Sequence, residues 1–145
     1  MFKINVYSTA VNSSSVRLLG KEVLKMSFMF ENLGVYQKAV DFTERIMVLT
    51  ENFPRGYYFF TDQLNRASLS ISTNIAEGNG RFTKADRRNF FTIARGSIHE
   101  CIPLLELARR REFISEHVCA ELRDELQTIA KMLSGLISGL EKRKK

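Results

Sequence analysis

Two stretches of this chain space their apolar residues identically, and that spacing leaves few folds open. Val35, Ala39, Phe42, Ile46, Leu49 and Phe53 follow one another at steps of 4, 3, 4, 3 and 4, and Leu122, Leu126, Ile129, Leu133, Leu136 and Leu140 repeat the series. Alternating steps of three and four keep side chains on one stripe of an α-helix and aim it at a nearly parallel neighbour. The sequence between them supplies two more such faces. Phe60, Leu64, Ala67, Ile71 and Ile75 mark a helix over about residues 55–77. Phe90, Ala94, Ser97, Cys101, Leu104 and Ala108, widened by Phe91, Ile98 and Leu105, mark another after Thr83.

The breaks between these segments carry helix punctuation. Pro54 disfavours helical geometry in the residue before it and ends the first segment. Thr83 is an N-cap, with Asp86 placed to suit the helix dipole, and Ser115 caps the fourth segment. Pro103 inside the third pattern predicts a kink or a detached last turn. No strand pattern competes. The expected fold is all-α, an antiparallel up-down four-helix bundle over residues 29–145. Residues 1–28 differ in character, with a short alternation and a serine-rich break, and read as a leader before a natural start at Met26 or Met29.

The stretch Ser70–Arg81, "SISTNIAEGNGR", raises the question of a phosphate loop. It matches neither the P-loop nor the dinucleotide fingerprint, and no strand precedes it. It reads as a corner between helices, with Gly78 as the left-handed residue that ends helix two and Asn79 and Gly80 continuing the turn. Gln63, Arg66, Ser70, Asn74 and Glu77 form a polar strip beside the apolar face. Glu77, in a last turn where the dipole disfavours an anion, calls for a cation, with Arg66, Arg81 and Arg95 in range. Gly96 sits mid-helix at a cost of about 1 kcal/mol relative to alanine, which predicts close approach of another backbone. The polar strip should therefore face the Gly96–Glu100 flank of helix three, as a buried seam or a subunit interface.

These same stretches, "FENLGVYQKAVDF", "QLNRASLSISTNIAEGNGR" and "FFTIARGSIHE", resemble the four-helix-bundle proteins encoded within 23S rRNA intervening sequences of bacteria. The resemblance implies a bundle that assembles into a ring-like homopentamer without known catalytic activity. It extends to the basic accessory bundles of diversity-generating retroelements, which associate with nucleic acid and a reverse transcriptase. It marks Asn74, Glu77, Gly78, Gly80, Arg81, Arg95, Gly96, Ser97 and Glu100 as signature residues, with Arg66 in the same network.

The net charge of +6 and pI near 9.5 suit an anionic partner. Lys84, Arg88, Arg95 and His99 share one strip of helix three, and Arg109, Arg110, Arg111 and the "KRKK" end add to it, so RNA or DNA is the first expected partner. A protein partner, such as a nucleic-acid enzyme served as an accessory subunit, is the second reading. An enzyme using Glu77 and Glu100 ranks last, because no nucleophile, metal set or cradle accompanies them. No cofactor and no metal are expected. Cys101 and Cys119 read as structural thiols of a cytoplasmic protein, and no apolar run reaches the ~20 residues of a membrane span.

Overall fold

A computed structural model of the protein describes residues 28–142, so the expected leader and the last three residues lie outside it, Phe28 apart. A short 3-10 turn, Met29–Asn32, leads into four α-helices: α1 (Gly34–Thr50), α2 (Tyr58–Gly80), α3 (Lys84–Arg110) and α4 (Glu116–Lys142). Among the described residues there is no strand.

The two stripes of alternating spacing become the floor of one core. Val35, Ala39, Phe42 and Ile46 of α1 are buried, as are Leu122, Leu126, Ile129 and Leu133 of α4, while Leu49, Phe53, Leu136 and Leu140 close its ends half-exposed. Burying one such aliphatic side chain contributes about 1.5–3 kcal/mol. Polar contacts set the register between helices. Thr43 donates its hydroxyl to the Ala39 and Ser68 carbonyls, at 2.9 and 3.0 Å, and Asn65 Nδ2 donates to Thr50 Oγ1 at 3.0 Å. Gln63 of α2 donates to Glu100 of α3, Arg88 of α3 pairs with Glu141 of α4 at 3.1 Å, and Arg45 of α1 pairs with both Glu121 and Glu125 of α4.

The helix ends depart most from what the sequence leads one to expect. Thr83 does cap α3, accepting from the Asp86 amide at 3.1 Å, and Ser115 accepts from the Val118 amide at 3.1 Å. Helix α2, however, begins at Tyr58 rather than near Arg55 and runs through Gly78 to Gly80. Gly78 is therefore helical, and among the described residues the left-handed positions are Gly56 (φ 94°) and Glu112 (φ 61°). Nor does Pro103 divide α3, which is unbroken from Lys84 to Arg110.

Glu112 closes α3 in a Schellman turn, with the Phe113 amide donating to Ala108 O at 2.8 Å and the Glu112 amide to Arg109 O at 3.0 Å. A side chain in that conformation costs roughly 1–2 kcal/mol, partly offset in a glycine variant by the unfolded chain's extra entropy. Glu112→Gly should raise stability by about 0.5–1 kcal/mol in urea unfolding, and a loss of stability would refute the capping role.

Candidate nucleic-acid interface

The polar seam between α2 and α3 forms from residues that are small or short at the crossing. Asn74 Nδ2 donates to the Ser70 carbonyl at 2.7 Å and to Ser70 Oγ at 3.0 Å. Ser97 Oγ reaches the Ile93 carbonyl at 3.2 Å, and the two serine hydroxyls lie 2.8 Å apart. With Asn74 and Ile93 fixing both ends, the protons run Asn74 to Ser70 to Ser97 to Ile93 O. One end of the seam is Gln63 on Glu100; at the other, Glu77 takes Arg81, not Arg66 or Arg95, as its cation. Arg66 instead lies 3.6 Å from Asp62 on the exposed side of α2.

Neither glycine plays the role expected of it. A Cβ on Gly78 would lie 2.9 Å from Phe90 Cβ and 2.9 Å from Phe91 Cε1, so Gly78 is the residue of close approach. A Cβ on Gly96 or Gly80 would meet nothing within 4 Å, so among the described residues Gly96 marks no close backbone contact.

The strip expected on α3 and the arginines expected to add to it are divided between the two ends of the domain. Lys84 and Arg88 lie in the first turns of α3, beside the end of α4, where Arg88 is tied to Glu141. Arg109, Arg110 and Arg111 lie at the other end, about 35 Å away at 1.5 Å per residue. Arg109 and Arg110 converge on Glu106 at 2.8 and 2.9 Å, and Arg111 donates to Tyr57 Oη at 2.6 Å while covering its ring. The Arg109 hydrogen bond, then that of Arg110, holds the Glu106 carboxyl down at about 2. Between the ends, His99 is exposed and Arg95 is half-buried, its Nε buried without a hydrogen-bond partner among the described residues.

The distribution of charge along the chain sharpens this division. Residues 28–142 hold fifteen Lys or Arg and fifteen Asp or Glu, and so are neutral. The excess of six belongs to residues 1–27, with four cations and one acid, and to Arg143, Lys144 and Lys145. That signal is in the sequence, but only a count by segment reveals it. Both segments attach at one end of the domain, where Leu33, Asn79, Arg87, Phe91 and Leu140 line a shared cavity of about 200 Å³. Arg81, Lys84, Arg87 and Lys142 stand around the same end. Arg81 also lies 4.6 Å from the centre of the Phe90 ring, and Arg87 Nε donates to the Arg81 carbonyl at 2.6 Å.

Cys101 and Cys119 are free and buried, and burial pushes the Cys101 thiol up to about 12, out of nucleophilic range. Among the described residues, no three His, Cys, Asp or Glu side chains gather around a point that could hold a metal ion, and no helix is long and apolar enough to cross a membrane.

Residues 31–135, holding the whole seam and both glycine motifs, match the family described as 23S rRNA-intervening sequence protein. The chain belongs to that family. A solved relative, a protein of unknown function from the S23 ribosomal protein family of Bacteroides thetaiotaomicron, is 28% identical, with a TM-score of 0.66 over 71% of this chain and 97% of its own. None of the curated proteins matches. Within this chain, the motif residues Asn74, Gly78 and Ser97 serve the α2–α3 crossing, whereas Glu77, Arg81 and Glu100 lie at its exposed margins.

Proposed function

We propose that this protein is a non-catalytic, homo-oligomeric antiparallel four-helix bundle that associates with RNA or DNA through one cationic end. The up-down arrangement is supported by the register of contacts, in which Thr43 meets Ser68 while Thr50 meets Asn65, and Gln63 meets Glu100 while Ser70 meets Ser97. Assembly into a ring, pentameric as the family resemblance implies, would repeat that end around an axis. Two buried thiols suit the reducing cytoplasm.

The observation that carries the nucleic-acid reading is the neutral body with its whole charge excess attached at one end. Cations of that kind neutralise phosphates without reading bases, so association is salt-sensitive and weakly sequence-specific. Lys84 and Arg88 belong to this surface; Arg109, Arg110 and Arg111, paired at the far end, do not.

Fluorescence anisotropy of labelled structured RNA and duplex DNA across a salt series tests it. Each cation removed from a phosphate should shrink the slope of log K against log salt by about 0.9 on duplex DNA. Replacing Lys142, Arg143, Lys144 and Lys145 with alanine should flatten the slope, as should Lys84→Glu with Arg88→Glu. Reversing Arg110 and Arg111 should leave it unchanged. No binding at low salt would refute the reading and favour an acidic protein partner, such as a nucleic-acid enzyme served as an accessory subunit.

A further inference from the structure

The outer side of α1 and α2 is an open apolar groove of about 700 Å³, with Val40, Met47 and Leu69 among its walls. Met47, Val48 and Leu69 are each more than half exposed, at 55%, 56% and 52%. Exposed apolar side chains gathered in one groove mark a contact surface. Its rim is acidic: Glu44 and Glu51 line it, and neither forms an ion pair among the described residues.

Across the molecule, α3 and α4 enclose a shallower cavity of about 350 Å³, with Ile102 and Ala130 in its floor and His99 and Arg123 on its edge. Asp124 is the acid on that edge. Arg123 and Arg95, one turn before His99, make no ion pair among the described residues, and Arg95 Nε lacks any acceptor although it is buried.

We infer that a second copy of this chain occupies the α1–α2 groove, presenting to it the cationic α3–α4 face around Arg95, His99 and Arg123. The inference rests on the homo-oligomer reading above and names its two surfaces. Two grooves cannot face each other comfortably, because Glu44 and Glu51 of one would meet the same carboxylates of the other. Charge therefore selects a head-to-tail contact over a two-fold one. Head-to-tail contacts leave both surfaces available on every copy and can close into a ring.

Sedimentation velocity with light scattering on the full chain tests this. The natural protein should form one species well above two copies of the 16.7 kDa chain. Met47→Glu with Leu69→Glu disables the groove, and Arg123→Glu with Arg95→Gln disables the cationic face; each variant alone should run as a monomer with unchanged helical content. Should the Arg95 change perturb folding, Arg123→Glu alone should still weaken assembly. An equal mixture of the two variants should yield a two-chain species, since each keeps one working surface. A monomeric natural protein would overturn the oligomer reading itself. An oligomer that survives both variants would overturn only these surfaces. Assembly abolished in the groove variant alone would also overturn the inference, assigning the groove to a two-fold contact or to residues 1–27.

Discussion

Truncating Leu126 to alanine should lower stability by about 2–5 kcal/mol, among the largest losses any single truncation in this domain can produce. Leu126 is 0% exposed, between Leu122 and Ile129 on the stripe of α4, and all three belong to the shared core. The cost of such a change is the forfeited transfer energy plus the cavity left behind, and it grows where the surroundings cannot collapse. Here they are held. Arg45 grips Glu121 and Glu125, one turn apart and both just before Leu126 on α4, and fixes the distance between α1 and α4. Those contacts raise the Arg45 pKa, first through its hydrogen bond to Glu121, and lower that of Glu121 in return. Urea unfolding at fixed protein concentration reads the loss, with Leu107→Ala, half-exposed on α3, as a control expected within about 0.5 kcal/mol. A Leu126 loss below about 1 kcal/mol would mean that α4 shifts to fill the space, and that the Arg45 pairs are not a brace.

The core is legible because burial writes itself into spacing. Every apolar position of the α1 and α4 stripes faces the shared core, and the caps at Thr83 and Ser115 announce themselves in residue type. What the sequence hides depends on which neighbour a residue meets. Glutamate is a poor candidate for the left-handed cap of α3, so position 112 carries no sign of it; two backbone hydrogen bonds impose the conformation. Pro103 looks like a break, yet the flanking core residues Cys101 and Leu105 hold the helix continuous across it. The pairing of Glu106 with Arg109 and Arg110 is legible in steps of three and four along one helix, but spacing along α3 cannot show that Arg88 of the basic strip meets Glu141 of α4. The α1–α2 groove escapes a sequence reading for a related reason: Val40, Met47 and Leu69 lie off the stripes and look like scattered surface residues until the two helices are set side by side.

Glycine gives the last and least intuitive expectation, because the same substitution at two motif positions should move stability in opposite directions. Gly78→Ala should destabilise by about 1–2 kcal/mol. Its Cβ would lie 2.9 Å from Phe90 Cβ and 3.0 Å or less from two atoms of the Phe91 ring. Phe90 Cβ is fixed to the α3 backbone, so relief requires the helices to separate, and overpacking of this kind costs about 1–3 kcal/mol. Alanine's better helix propensity offsets part of that, and less than usual, because Gly78 is in the last turn of α2. Gly96→Ala meets no atom within 4 Å in mid-helix, so it should stabilise by about 1 kcal/mol. Urea unfolding of both variants, each with its assembled mass checked beside it, separates the explanations. Destabilisation at both positions would show that another chain packs against Gly96, making that motif residue part of a contact between copies. Stabilisation at both would show that α2 and α3 can part at Gly78 without penalty, and would remove the packing reason for a glycine there.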